Sequence, residues 1–337
     1  MTEIYSIKPS SGFKVVLERI WGPGGGTRLG NDGGGGRYTS FAALRAAALG
    51  RDSALLLAYN KATQKADAFT LSDSSPWVQD RQGSSDIVLE EGPWDTLDTF
   101  VLGNNPYLMA YRRNTGTFGF YQVESKDDNV LSVSRPYIFE LTRKTPTQGF
   151  TTVAPFASLG RQYFLGYDFD TGTVANFAVS VTLSSADGVP PLRAQNIWYH
   201  QWSNGWTHFA FFQLGGANFF FKINTVRRRI NIDHINDDPS QGANEVGNRF
   251  GDQLPDAFSL SAVARVPWRN GEPHLLTYSA AAGSAAVYRV HADCRGMTKA
   301  ADQTVQKNAT GVVPYRAGND SFVLFYGGGG NADGGGA

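Results

Sequence analysis

Trp94 to Val123 reads WDTLDTFVLGNNPYLMAYRRNTGTFGFYQV, and Phe150 to Val179 reads FTTVAPFASLGRQYFLGYDFDTGTVANFAV. Both run from an aromatic opening through an alternating strand to Leu-Gly, then an apolar strand ending in Tyr, a turn, and another aromatic strand. Trp206 to Ile235 keeps the frame with Ile223 in place of the tyrosine, and Phe41 to Leu71 keeps it with Leu49-Gly50 and Tyr59. A fifth copy runs from Phe258 to Val290, and a sixth begins near Val312 and reaches Tyr326. The equivalent positions Tyr59, Tyr111, Tyr167, Ile223, Tyr278 and Tyr326 stand 48 to 56 residues apart, the length of three or four short strands with their turns.

Turn chemistry inside each copy, such as Asn114-Thr115-Gly116 and Asp170-Thr171-Gly172, is that of hairpins. Helical periodicity is absent over comparable windows; AALRAAALG, within Phe41 to Leu57, has helical composition, but the repeat frame assigns it to strands and a turn. Sheets that cannot bury both faces alone are satisfied by packing around a ring. The fold expected is therefore all-β, a six-bladed β-propeller. Ile4 to Ile7 resembles the third-strand segment Val287 to Val290, while the sixth copy breaks off after Tyr326. The N-terminal segment is expected to complete the last blade, with Gly12 to Trp21 as its outer strand, removing an open edge. Residues 1–337 are thus read as one propeller domain, with 22–36 a Gly-rich loop and 327–337 a Gly-rich flexible tail.

A chain of 337 residues with 41% hydrophobic and 18% charged side chains has the means to bury a large core, and disorder is excluded on that ground. Its 30 basic and 30 acidic residues cancel, which removes the electrostatic basis for binding nucleic acid or an anionic membrane. No apolar run is long enough to span a bilayer, and Met1 to Ser10 lacks the layout of a secretory signal; a cytoplasmic location is expected. Cys294 is the lone cysteine and makes no internal disulfide. Oligomeric state is not legible.

An aromatic-Thr opening, Phe-x-Leu-Gly-Gly and Pro-His-Leu-Leu-x-Tyr are carried in part by Trp206-Thr207-His208 and in part by Pro273-His274-Leu275-Leu276. This phrase resembles a tandem repeat of bacterial propeller-like proteins, and the layout is similar to that of propeller lectins, which place glycan pockets between blades.

Chemistry has few footholds in the sequence. The stretch Gly22 to Gly36 lacks the Lys-Ser/Thr of a phosphate loop. Asp168 to Gly172 begins like a calcium loop but lacks the distal glutamate, and reads as a turn. The five histidines show no metal-ligand spacing, no GxSxG elbow occurs, and Asp95 and Asp98 read as a solvated pair. No catalytic residue, metal or cofactor is expected. Aromatic side chains fall instead near strand ends, and the cluster Trp198-Tyr199-His200-Gln201-Trp202 lies outside the shared frame. With Trp206, and Arg161 to fork onto hydroxyls or a carboxylate, Trp198, Tyr199, His200 and Trp202 form the expected ligand surface. The function expected is a non-catalytic, lectin-like binding module for a glycan. A peptide- or protein-binding scaffold in a bacterial biosynthetic or toxin system is the alternative, and an enzyme with an axial site the second.

Overall fold

The computed structural model describes residues 2–9, 15–21, 38–44, 54–75, 77–80, 87–126, 130–134, 136–141, 149–181, 192–248, 250, 254, 256–268 and 271–327. The Gly-rich segment 22–36 and all but Gly327 of the tail lie outside them, as do residues 45–53 of the helix-like stretch. The strands form six antiparallel sheets, which are the six blades expected from the repeat. Their innermost strands are Ser40–Leu44, Thr96–Leu102, Thr152–Ser158, Trp206–Leu214, Ala262–Val266 and Gly311–Ala317, taken here as blades 1 to 6. Each innermost strand contacts the next, and that of blade 6 contacts that of blade 1, so the ring is closed.

Closure follows the expected route. Glu3–Pro9 pairs with Asp320–Tyr326, placing Ile4 opposite Leu324, and Val15–Trp21 pairs outside it with Leu17 opposite Ile7. Alternation turns one face of each strand toward the preceding blade and the other toward the next. The apolar core is accordingly divided into six clusters, one at each seam. At the seam of blades 2 and 3, for instance, Phe118 lies 4.6 Å from Phe164, which stacks on Phe177 at 4.6 Å. Both Phe118 and Phe164 are fully buried, and burial of such a side chain stabilises the fold by about 1.5 to 3 kcal/mol.

The recurring tyrosine has a specific task. The hydroxyl of Tyr59 accepts the backbone N–H of Trp94 at 3.1 Å, that of Tyr111 accepts Phe150 at 2.6 Å, that of Tyr167 accepts Trp206 at 3.3 Å, and that of Tyr278 accepts Ala309 at 2.9 Å. In every case the donor opens the following blade. A buried N–H that the next sheet leaves unpaired is thereby satisfied from the previous one. Blade 4 carries Ile223 at this position, which has no hydroxyl to offer the blade that follows.

Candidate functional site

Edges of the innermost strands face the axis, and in two of them the residues are half-buried on both faces, along Ala262 to Arg265 and Gly311 to Pro314. A period-2 strand packed only between sheets would alternate; continuous partial exposure marks the wall of a channel. Where these strands end, the channel widens into a cavity of about 420 Å³ reached by residues of every blade, within the size range of small-molecule sites.

Strand register makes the residues around the axis directly comparable. The positions two residues before each repeat tyrosine on the second strands, or before Ile223, pair with Ala42, Asp98, Ala154, Ala210, Ala264 and Val313. Five blades thus place a small or branched apolar residue at this level, and blade 2 alone places a carboxyl group. Asp98 is half-buried and lies one residue before Thr99 of the cavity lining. Its Oδ1 accepts the N–H of Thr99 at 2.7 Å. Burial pushes its pKa up to about 6, only partly opposed by that hydrogen bond, so the carboxyl changes charge near neutral pH.

One residue further along the same strands stand Ala43, Thr99, Pro155, Phe211, Arg265 and Pro314, all lining the cavity. Again a single blade supplies a charge. Arg316 of blade 6 adds a second at the rim, where its Nε donates to the Gly318 carbonyl at 3.1 Å and a terminal nitrogen to Asn319 Oδ1 at 3.3 Å. The cavity lining among the described residues holds these two arginines and no carboxylate. Phe100, Phe156 and Tyr315 supply apolar walls. His208, two pairs below Ala210, is half-buried, and burial pulls its pKa down.

This arrangement corrects the reading of Asp95 and Asp98 as a solvated pair. Asp95 is exposed, is bonded to Lys61 Nζ and accepts the Arg113 N–H at 2.7 Å, while Asp98 belongs to the channel. Part of the signal was present in the sequence, since aligning the copies that open at Trp94, Phe150 and Trp206 sets Asp98 against Ala154 and Ala210.

The expected aromatic surface is divided. Trp198, His200 and Trp202 lie together near the end of the outermost strand of blade 3, Leu192–Gln201, with ring centroids 5.6 Å apart for Trp198 and His200 and 6.2 Å for Trp198 and Trp202. Tyr199 is 47% exposed. Trp206 is only 4% exposed, which corrects its expected role in ligand contact: it is committed to the seam. Lys222 Nζ sits 4.0 Å from the Trp202 ring and 4.3 Å from that of Trp206, so a cation of the chain itself occupies this aromatic box. Arg161 is exposed and lies at the other end of blade 3, opposite Ser158, whereas His200 pairs beside Val174 and Tyr167. It does not join the aromatic cluster.

Other candidates have structural roles. His274 is buried and stacks on Trp268 at 4.6 Å. Asp168 accepts the N–H of Thr171 at 3.0 Å and its hydroxyl as well, in a turn whose Gly172 has φ +78°. Cys294 is buried, and burial pushes its thiol up to about 11, which holds it as an unreactive thiol. No group of three metal-ligating side chains occurs among the described residues, and no helix there is long and apolar enough to cross a membrane.

Fold and cavity together define a six-bladed β-propeller with an open axial pocket. Among solved structures, it is similar to a protein of Bacteroides fragilis that carries the provisional name 6-phosphogluconolactonase, with TM-score 0.51 and 14% identity over 96% of this chain and 87% of that one. A Lactobacillus plantarum protein is similar at TM-score 0.50 and 12% identity, over 93% and 85% of the two chains. At such identities the likeness is one of fold. A scan against protein-family models finds no match, and a search of curated proteins finds none. These findings correct the expectation of a non-catalytic, lectin-like module: a propeller sharing this architecture bears an enzyme's name.

Proposed function

We propose that the protein is a hydrolase whose active site lies at the inner end of the axial cavity, with Asp98, one residue before the cavity-lining Thr99, as the general base. The observation that carries this is the replacement, at one position in six, of a small apolar residue by a carboxyl group with a pKa near 6. A base is most effective when its pKa lies close to the working pH, since it is then largely ionised yet still a competent proton acceptor. In this site a carboxylate at Asp98 takes a proton from water as the water attacks the acyl carbon of an ester; the acyl C–O bond then breaks, and the proton held by Asp98 passes to the departing alkoxide, leaving acid and alcohol. The aromatic and proline walls hold a sugar-like ring by its C–H surfaces. A ring ester is the simplest substrate meeting these terms, and the name of the Bacteroides fragilis neighbour supports beginning with sugar lactones.

The test is hydrolysis of 6-phosphogluconolactone and of gluconolactone, measured above the spontaneous rate. Turnover is expected to rise with pH through about 6, and Asp98→Asn is expected to lower kcat by roughly 100-fold or more. Failure of both lactones across pH 5 to 8, or full activity in the variant, would overturn the assignment.

A further inference from the structure

Four blades join their innermost strand to the next by a two-residue turn at the cavity end of the ring, and strand pairing fixes the equivalent positions. Leu102 pairs with Asn105, Ser158 with Arg161, Leu214 with Ala217 and Ala317 with Asp320, so the first turn residues are Gly103, Leu159, Gly215 and Gly318. All four have positive φ, at +63°, +47°, +60° and +53°. Glycine meets that conformation without strain, whereas a Cβ crowds the following carbonyl oxygen. Blade 3 nevertheless carries a leucine there, and its side chain is 78% exposed. Leu159 is strained and unburied at once, so neither the turn nor the packing of the blade accounts for it. Two residues earlier Ala157 is exposed and lines the cavity. Val101 stands at the same level in blade 2, lines the cavity as well and is 41% exposed. Gln213, Pro267 and Arg316 hold that level in blades 4 to 6. An apolar path thus runs from the cavity wall outward over the rim of blades 2 and 3.

We infer that the ligand of the axial cavity carries a hydrocarbon chain, which leaves the cavity over blades 2 and 3 and lies against Val101, Ala157 and Leu159. The occupant is part of a small molecule because the exposed side chains are continuous with the cavity lining through Ala157 and Val101, and are too few to form a face for a protein partner. Each methylene that the chain withdraws from water raises affinity by roughly fourfold when it is fully covered. A leucine held out into solvent at the rim adds to that covered length, which a glycine in the same turn cannot do. The inference rests on the axial site proposed above and adds the class of substrate: an ester or lactone whose ring enters the cavity and whose acyl or alkyl part is long and apolar.

Binding of methyl β-glucoside and of octyl β-glucoside, the latter below its micelle concentration, is measured by calorimetry. The octyl probe is expected to bind about tenfold or more tightly. Leu159→Gly relieves the turn, so it is expected to keep or raise the melting temperature while cutting the preference for the octyl probe about fivefold. Leu159→Asn suits the same backbone conformation and is expected to match it. Val101→Thr exchanges a methyl group for a hydroxyl at nearly constant shape and is expected to lower the preference as well. Val226→Ser removes a side chain 59% exposed in a hairpin at the opposite end of the ring and is expected to leave the preference intact. Equal binding of the two glucosides, including none by either, overturns the inference. So does full preference in Leu159→Gly, or a preference that Val226→Ser lowers equally, since the alkyl chain then adheres without a site. Neither probe is an ester, so chain preference without lactone turnover retains this inference and removes the hydrolase, whereas turnover without chain preference does the reverse.

Discussion

Tyr111 illustrates how a single hydroxyl can serve a whole ring. Its oxygen accepts the N–H of Phe150 at 2.6 Å across a seam, and burial holds its pKa far above the ordinary phenol range. Tyr111→Phe keeps the ring packing but leaves that N–H buried without an acceptor, at a cost of about 1 to 3 kcal/mol. A corresponding drop in the urea midpoint is expected, and an unchanged midpoint would show that water replaces the hydroxyl. Asp98 has the opposite sign. Its carboxyl group holds a proton more tightly in the folded chain than in the unfolded one, so its contribution is most favourable below about pH 4 and declines as pH rises toward 6. Above that the ionised group is a standing cost, reduced by the water of the channel to about 1 to 2 kcal/mol. Asp98→Asn is therefore expected to stabilise the protein at pH 8 and to leave it nearly unchanged at pH 4, in thermal melts at both. The recurrence of tyrosine was legible from the repeat. Its hydrogen bond to the next blade was not, because the partner lies 31 to 39 residues away.

At the scale of the blade, blade 4 departs furthest from its sisters. Besides replacing the tyrosine with Ile223, it encloses an ion pair: Lys222 Nζ donates to Asp233 Oδ2 at 2.7 Å, with both side chains 5% exposed. Burial pulls Lys222 down and pushes Asp233 up, and each partner opposes the effect on the other. Asp233 Oδ1 has no hydrogen-bond partner. Two strands joined by one hairpin hold the pair, and removing one member strands the other. Lys222→Met or Asp233→Leu alone is expected to cost about 3 to 5 kcal/mol, whereas the double substitution recovers most of the loss, because two apolar side chains need no hydration. Urea titrations of the four proteins test this; additive losses would show that the charges act independently. From sequence, the same blade drew attention through its tryptophans. Their excess was legible, but their engagement with Lys222 was not, since a cation sixteen residues from Trp206 is brought there only by strand pairing.

For the whole molecule, stability depends on joining the two ends of the chain. Glu3–Pro9 lies between Asp320–Tyr326 and Val15–Trp21, and buries Ile4, Tyr5 and Ile7 in two seams. Deleting residues 1–9 exposes the edge of Asp320–Tyr326 and removes apolar contacts on both of its sides. The shortened protein is expected to lose cooperative unfolding and to associate on size-exclusion columns, and an added peptide of residues 1–9 to reverse this; a monomer with an unchanged melt would show that closure elsewhere suffices. The sequence alone was enough to determine that six related sheets form a ring and which segment seals it, because strand alternation, turn residues and a recurring tyrosine are local patterns repeated at a fixed spacing. Only the tertiary structure decided which side chains meet near the axis. Asp98, Arg265 and Arg316 lie 167 and 51 residues apart in the chain, and a charge becomes part of a site only when blades that are remote in sequence turn their innermost strands toward a common axis. The same geometry withdrew Trp206 from the surface, since the seam that buries it exists only once its neighbour is in place.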